Sequence, residues 1–220
     1  VATLPAMVRI LAFLGSGGDP QVGLDELFMA ANESVYAKTP SKLFLADILA
    51  NQENRPQEAL EILSELKAEF PKSPFIHFLE IVALYNHGET GALQKSVAEF
   101  SDLVETQVYD PLYENQSYFL RGIIPFRAKE WKKAVSEFNQ GIEETDGIDP
   151  FVTWSILYKG YALDALGRRK EAIAQYRDVL SRLRRWGSHD SARLRLRRPF
   201  KPDDEETRRS VSYTHLTLPT

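Results

Sequence analysis

Ser188-His189-Asp190 brings together the three residue types of a hydrolytic triad. A triad works by convergent geometry, and three neighbours along a chain point apart. The run therefore reads as a helix start, with Ser188 as the capping residue. His77 and His87, with Glu80 and Glu89 nearby, offer nitrogen and oxygen donors for a metal. Histidines that share a metal on one helix want i,i+4 spacing; these lie ten residues apart and read as surface or core-edge side chains. Gly15-Ser16-Gly17-Gly18-Asp19-Pro20 is glycine-rich, but a phosphate-binding loop needs a strand before it and Lys-Ser/Thr at its end. It reads as a turn between helices. Glu143, Glu144 and Asp146 could supply an acid–base pair, but they read as a solvated helix end. No catalytic residue, metal site or cofactor is expected from these patterns.

The basic residues Arg182, Arg184, Arg185, Arg193, Arg195, Arg197 and Arg198 form the one strongly charged run. Phosphate or an anionic membrane could neutralise it. Single-strand binding also wants interleaved aromatics, and only Trp186 is present. Asp203, Asp204, Glu205 and Glu206 follow closely, and the formal net charge is -4. These features argue against nucleic acid and for a charged terminal helix. There is no cysteine, so disulfides, thiolate metal sites and a cysteine nucleophile are excluded. No apolar run reaches the ~18–20 residues needed to span a bilayer. Met7–Leu14 is short and broken by Arg9; it reads as a buried helix rather than the tail of a signal peptide. The chain starts at Val1 and reads as an open-ended piece, so an export signal could precede it. Ser210–Thr220 (SVSYTHLTLPT) matches one translated frame of a transposon-end sequencing adapter and is set aside from fold reasoning.

What positions these residues is a repeat. A capping residue followed by proline recurs at Thr39-Pro40, Ser73-Pro74, Asp110-Pro111 and Asp149-Pro150, with prolines 34, 37 and 39 residues apart. Thr, Ser and Asp accept a hydrogen bond from an orphan N–H of the first turn, and proline suits the first helical position. Apolar periodicity predicts paired helices: 41–52 with 56–70, 74–87 with 91–105, 112–127 with 130–144, and 150–166 with 169–182. Residues 5–14 and 21–36 form a degenerate pair. Pro125 lies inside a predicted helix and should kink it near Gly122–Pro125. No segment alternates as a strand does.

The clearest repeat runs Ile156-Leu157-Tyr158-Lys159-Gly160-Tyr161-Ala162-Leu163, then Leu166-Gly167, Glu171-Ala172-Ile173 and Tyr176. Gly122, Trp131, Ala134 and Phe138 repeat the pattern 38 residues earlier, and Ala59, Leu63 and Pro71 match it again. Over roughly residues 20 to 185 the chain resembles the tetratricopeptide-repeat (TPR) family, strongly in the last two repeats and weakly over 75–108. The resemblance implies an all-α fold, a right-handed superhelix of antiparallel helical hairpins. The expected divisions are a degenerate helix pair over 1–38 and repeats over 39–73, 74–109, 110–148 and 149–185. A capping helix over 186–200 and a disordered tail over 201–220 follow. A solenoid needs such an atypical terminal helix to cover its last apolar face, and many bacterial TPR proteins are similar in ending this way. A bacterial source, in either cytoplasm or periplasm, fits the resemblance.

In that family the first helices line a concave groove. Register places Phe44, Ile48 and Asn51 there from the early repeat, then Phe119, Ile123, Phe126 and Arg127, then Trp154, Leu157, Tyr161 and Asp164. Leu157 reads as core. The lysine and asparagine of the family's carboxylate clamp are replaced by Phe119, Ile123, Leu157 and Tyr161, so the groove should suit an apolar helix or extended peptide. The implied function is a non-catalytic scaffold for a protein or peptide partner. Alanine at Phe119 or Trp154 should weaken partner binding without unfolding the array. Two alternatives are an envelope protein whose groove aromatics stack on a glycan or other small ligand, and a module of a larger enzyme.

Overall fold

The computed structural model describes residues 20–143, 149–184 and 187–202. Among them are ten α-helices and no strand. They are α1 (Pro20–Glu33), α2 (Lys38–Asn51), α3 (Pro56–Glu69), α4 (Pro74–His87) and α5 (Thr90–Glu105). After a 3-10 turn at Pro111–Tyr113 come α6 (Glu114–Arg127), α7 (Trp131–Glu143), α8 (Pro150–Ala165), α9 (Arg169–Ser181) and α10 (Ser188–Arg197). The chain forms two compact units divided between Thr90 and Gly91, inside the repeat expected over 74–109.

Three of the four cap–proline pairs act as expected. The Ser73 hydroxyl accepts from the Ile76 amide at 3.4 Å, a long bond. Asp110 Oδ1 accepts from the Leu112 amide at 2.9 Å, starting the 3-10 turn. Asp149 Oδ1 accepts from the Phe151 amide at 2.7 Å. Thr39 does not cap. Helix α2 begins one residue before it, and Pro40 falls within the first turn, where a missing N–H still costs no helical bond. The preceding turn is closed instead by Ser34, whose hydroxyl accepts from the Ala37 amide at 2.9 Å. That turn ends α1 at Glu33 and leaves Val35 and Tyr36, expected to be helical, exposed after it. Helix α6 continues through Pro125 to Arg127. It closes with Lys129 at φ 59° and the Glu130 amide bonded back to the Pro125 carbonyl. Gly167, at φ 75°, turns the chain after α8, as the sequence predicts; a glycine adopts that conformation without a Cβ penalty.

In the first unit, α1 packs on α2, α2 on α3, α3 on α4, and α2 on α4. Leu24, Leu27, Leu45, Leu49, Leu63, Leu66, Ile76 and Leu79 fill its core around Ala46, Ala59 and Ala83. The second unit repeats this order: α6 on α7, α7 on α8, α6 on α8, and α8 on α9, with α10 against α9 and α8. Its core is aromatic. Phe126 and Tyr158 lie 5.0 Å apart, and Tyr158 and Tyr161 5.3 Å apart.

Two glycines set the hairpin spacing in this unit. A Cβ on Gly160 would stand 2.5 Å from the Tyr176 ring, and one on Gly122 would overlap the Phe138 ring. Each hairpin thus trades a side chain on its first helix for an aromatic ring on its second. Gly141 works the other way: a Cβ there would meet Tyr118 Cβ at 2.8 Å.

Candidate functional site

The ten groove positions separate by environment. On α2, Phe44 and Ile48 are half-buried, packed against the core of the first unit. Asn51 is half-buried in a polar chain. Its Nδ2 donates to Asp47 Oδ1 at 2.7 Å, and its Oδ1 accepts from Asn86 Nδ2 at 3.0 Å. Asn86 also donates to the Ala50 carbonyl.

In the second unit Phe119, Ile123, Phe126, Trp154 and Tyr161 are all buried, as is Leu157. This corrects the picture of an open aromatic groove. The register aims these side chains at neighbouring helices, and the rings pack on one another rather than standing free for a sugar or a peptide. Phe119, for example, meets Tyr158 edge-on at 5.4 Å. Arg127 is half-buried.

Asp164 is the other correction. Its side chain is fully buried, and it gathers donors from three directions. Arg169 Nη1 approaches its carboxylate oxygens at 2.9 and 3.1 Å. The Tyr176 hydroxyl donates at 2.7 Å and the Phe200 amide at 2.8 Å, both to Oδ2. Burial, reinforced by the Asp164 charge, holds the Tyr176 hydroxyl protonated far above the ordinary tyrosine range. Arg169 extends the junction through Nη2 to the carbonyls of Arg195 and Leu196, at the end of α10. A guanidinium there satisfies orphan carbonyls and complements the negative end of the helix dipole.

Phe200 completes the arrangement. Its ring stacks on Tyr161 with centroids 4.8 Å apart and planes 8° from parallel. It also lies 5.7 Å from the Phe126 ring and 6.3 Å from Trp131. The Arg195 guanidinium, itself buried, sits over both Tyr161 and Phe200. Sequence reading placed Tyr161, Phe126 and Asp164 on one face but missed Phe200, Arg195 and Arg169, their actual occupants. Phe200 after Pro199 was the available signal: an apolar residue in an otherwise charged tail.

The remaining motifs do separate things. Gly187, at φ 70°, takes the cap position of α10, so Ser188 is its first residue and does not cap. His189 Nε2 lies 3.1 Å from the Arg182 carbonyl, and Asp190 pairs with Arg184 and Arg193. His189 and Asp190 therefore serve separate partners, and the buried Ser188 hydroxyl joins neither. Asp178 pairs with Arg182, so acidic partners within the described residues offset part of the basic run; Arg197 and Arg198 stay exposed. Arg185, Trp186, Glu144, Asp146, the Gly15–Asp19 turn, 5–14 and 203–220 lie outside the described residues. His77 is buried 3.8 Å from Glu80, which Lys67 also pairs, and His87 approaches Glu89 at 3.4 Å. Among the described residues no three His, Asp or Glu converge as a metal site would require, and no helix is long and apolar enough to cross a membrane.

The chain matches no family model, no curated protein and no solved structure.

Among the described residues no cation pairs with Asp47. Burial raises its carboxyl to about 6, against the opposing hydrogen bond from Asn51. Its place explains the burial. One constant offset relates Ala59 to Ala172 and Leu63 to Tyr176, and the same offset relates Asp47 to Gly160. The carboxylate thus occupies the close-approach position of its hairpin. A folded-state pKa above the unfolded one means that the folded state binds the proton more tightly. Stability is then greatest below the unfolded value and falls as pH rises through about 6. Asp47→Asn keeps the acceptor for Asn51 and removes the charge. It is expected to stabilise the first unit by about 1–3 kcal/mol at pH 7.5 and to flatten its pH dependence between 4 and 6. Hydrogen exchange of α2 and α3 amides across that range reads both effects; an unaltered profile would show Asp47 to be solvated.

Proposed function

We propose that the chain is a non-catalytic repeat scaffold of the tetratricopeptide kind, coiled as a right-handed superhelix, whose first-helix face receives a peptide segment of a partner protein. The observation that carries the reading is the repeated hairpin seat: glycine against an aromatic ring at Gly122–Phe138 and again at Gly160–Tyr176. The packing of first helix on first helix within each unit, α2 on α4 and α6 on α8, supports it. Repeat arrays of this type offer extended surfaces rather than enclosed pockets. On α2 that face is accessible at Phe44, Ile48 and Asn51, which remain partly exposed.

A displayed library of random peptides, selected against the full chain, tests this. Selected peptides should bind Ile48→Lys at least tenfold more weakly than the wild type. A lysine there can keep its stem on the core and lift its charge into solvent, so the melting temperature should move little. Phe44→Ala serves as a second variant. Selection of no peptide, or equal binding to both variants and the wild type, rejects the α2 face as the binding surface.

A further inference from the structure

We propose that Tyr161, Asp164, Phe126 and Trp131 form a second peptide-binding site, and that the chain's own Arg195–Phe200 segment is its resident, displaceable ligand. The external ligand has the same chemistry: a basic peptide that ends a helical turn at its arginine and runs on, through an extended residue before proline, to a phenylalanine five residues after that arginine. This inference rests on the scaffold reading but places a site in the other unit.

The contacts are those of recognition. The Phe200 amide donates to a buried carboxylate at 2.8 Å, its ring stacks on Tyr161, and Arg195 lies across both rings. A backbone bond fixes the segment's path while a ring in an aromatic seat fixes its register, the division of labour used to bind extended peptides. Pro199 preorganises that form: it disfavours helix at the residue before it, and Arg198 is extended at φ -132°, ψ 124°.

The surface that α10 buries differs from the rest of the unit. Its buried residues are Ser188, His189, Ala192 and Arg195, a single small apolar residue among polar ones. Helix α8 instead buries Val152, Ile156, Leu157, Tyr158 and Leu163. A ten-residue helix has little stability of its own, so α10 is held by this mostly polar surface, by Arg169 at its last carbonyls and by the Phe200 seat. Arg193, Arg197, Arg198 and Lys201 are exposed beside that seat, giving the resident segment its basic character. Tethered to the site, the segment competes at an effective concentration that reaches the millimolar range for short linkers. An external peptide therefore meets a site that is already filled.

The test uses the full chain and a fluorescein-labelled peptide with the sequence of residues 193–202, RLRLRRPFKP. Phe200→Ala vacates the aromatic seat and should bind this peptide at least tenfold more tightly than the wild type does. The same peptide with alanine for its phenylalanine should bind neither protein. Equal affinity of wild type and Phe200→Ala for the intact peptide overturns the proposal and makes α10 a fixed cap. A measurement on the wild type guards against a variant that fails to fold. The Phe200 amide should exchange with solvent at least a hundredfold faster than the Tyr176 amide of α9, because the segment releases without unfolding the unit. Equal protection of the two amides overturns the proposal. Neither readout involves Ile48, so failure here is distinct from failure of the α2 face.

Discussion

Asp164→Ala is expected to destabilise the unit beyond residue 90 by about 3–5 kcal/mol, the scale on which losing one partner of a buried ion pair is felt. The side chain is wholly buried, and four hydrogen bonds from three residues end on it. Alanine leaves Arg169 facing a hole, and it leaves the Tyr176 hydroxyl and the Phe200 amide without an acceptor. Each stranded buried donor costs about 1–3 kcal/mol, so the sum exceeds that of an ordinary surface pair. Asp164→Asn separates charge from hydrogen bonding: its amide oxygen can still accept, and its loss should be smaller. The readout is specific to this unit, because Trp131, Trp154 and Trp186, all the tryptophans of the chain, lie beyond residue 90. Urea titration followed by their fluorescence should show the midpoint falling for Asp164→Ala and falling less for Asp164→Asn. An unchanged midpoint for both would show Arg169 and its partners to be satisfied by water.

This junction also shows where sequence reading stops. Local chemistry was legible. Ser73, Asp110 and Asp149 cap where a short polar side chain precedes proline, because capping involves residues only two or three apart. The Gly122–Phe138 and Gly160–Tyr176 seats were legible too, since both partners recur at a fixed offset and a deletion of volume on one helix implies a ring on the other. Thr39 misled because its neighbour Pro40 is tolerated anywhere in the first turn, so the pair does not fix the start of α2.

Asp164 was read as a groove residue, whereas its side chain is fully buried among donors of this chain. Its register position is local information, whereas the Phe200 amide that it holds arrives from 36 residues away through an irregular segment. Asn51 poses the same problem three hairpins earlier. The offset that relates Ala59 to Ala172 relates Asn51 to Asp164 and Ile48 to Tyr161. The two positions share a register, yet one holds an asparagine bonded to Asn86 and the other a carboxylate that fixes the segment after the last helix. Periodicity places such residues. It does not say whether the space before them is filled from within the chain.

Phe119→Ala decides how that distinction falls for the aromatic positions. If Phe119 lined an open groove, alanine would remove binding surface and leave stability within about 0.5 kcal/mol, as exposed substitutions do. The structure places the ring at 0% exposure, with Phe138 at 6.1 Å, Phe151 at 5.8 Å and Tyr158 edge-on at 5.4 Å. Truncation therefore deletes a close-packed ring and leaves a cavity among others that cannot collapse into it, because Gly122 already fixes the spacing of α6 and α7. The expected cost is about 3–5 kcal/mol. Phe119→Leu, which preserves most of the volume, should cost about 1.5 kcal/mol or less. Trp154 shares the Tyr158 ring with Phe119, at 5.9 Å, and is buried; it belongs with Phe119 rather than with Ile48. Tryptophan fluorescence in a urea titration orders the three proteins. Wild type above Phe119→Leu above Phe119→Ala places the aromatic cluster in the core, and coincident curves would return it to the surface.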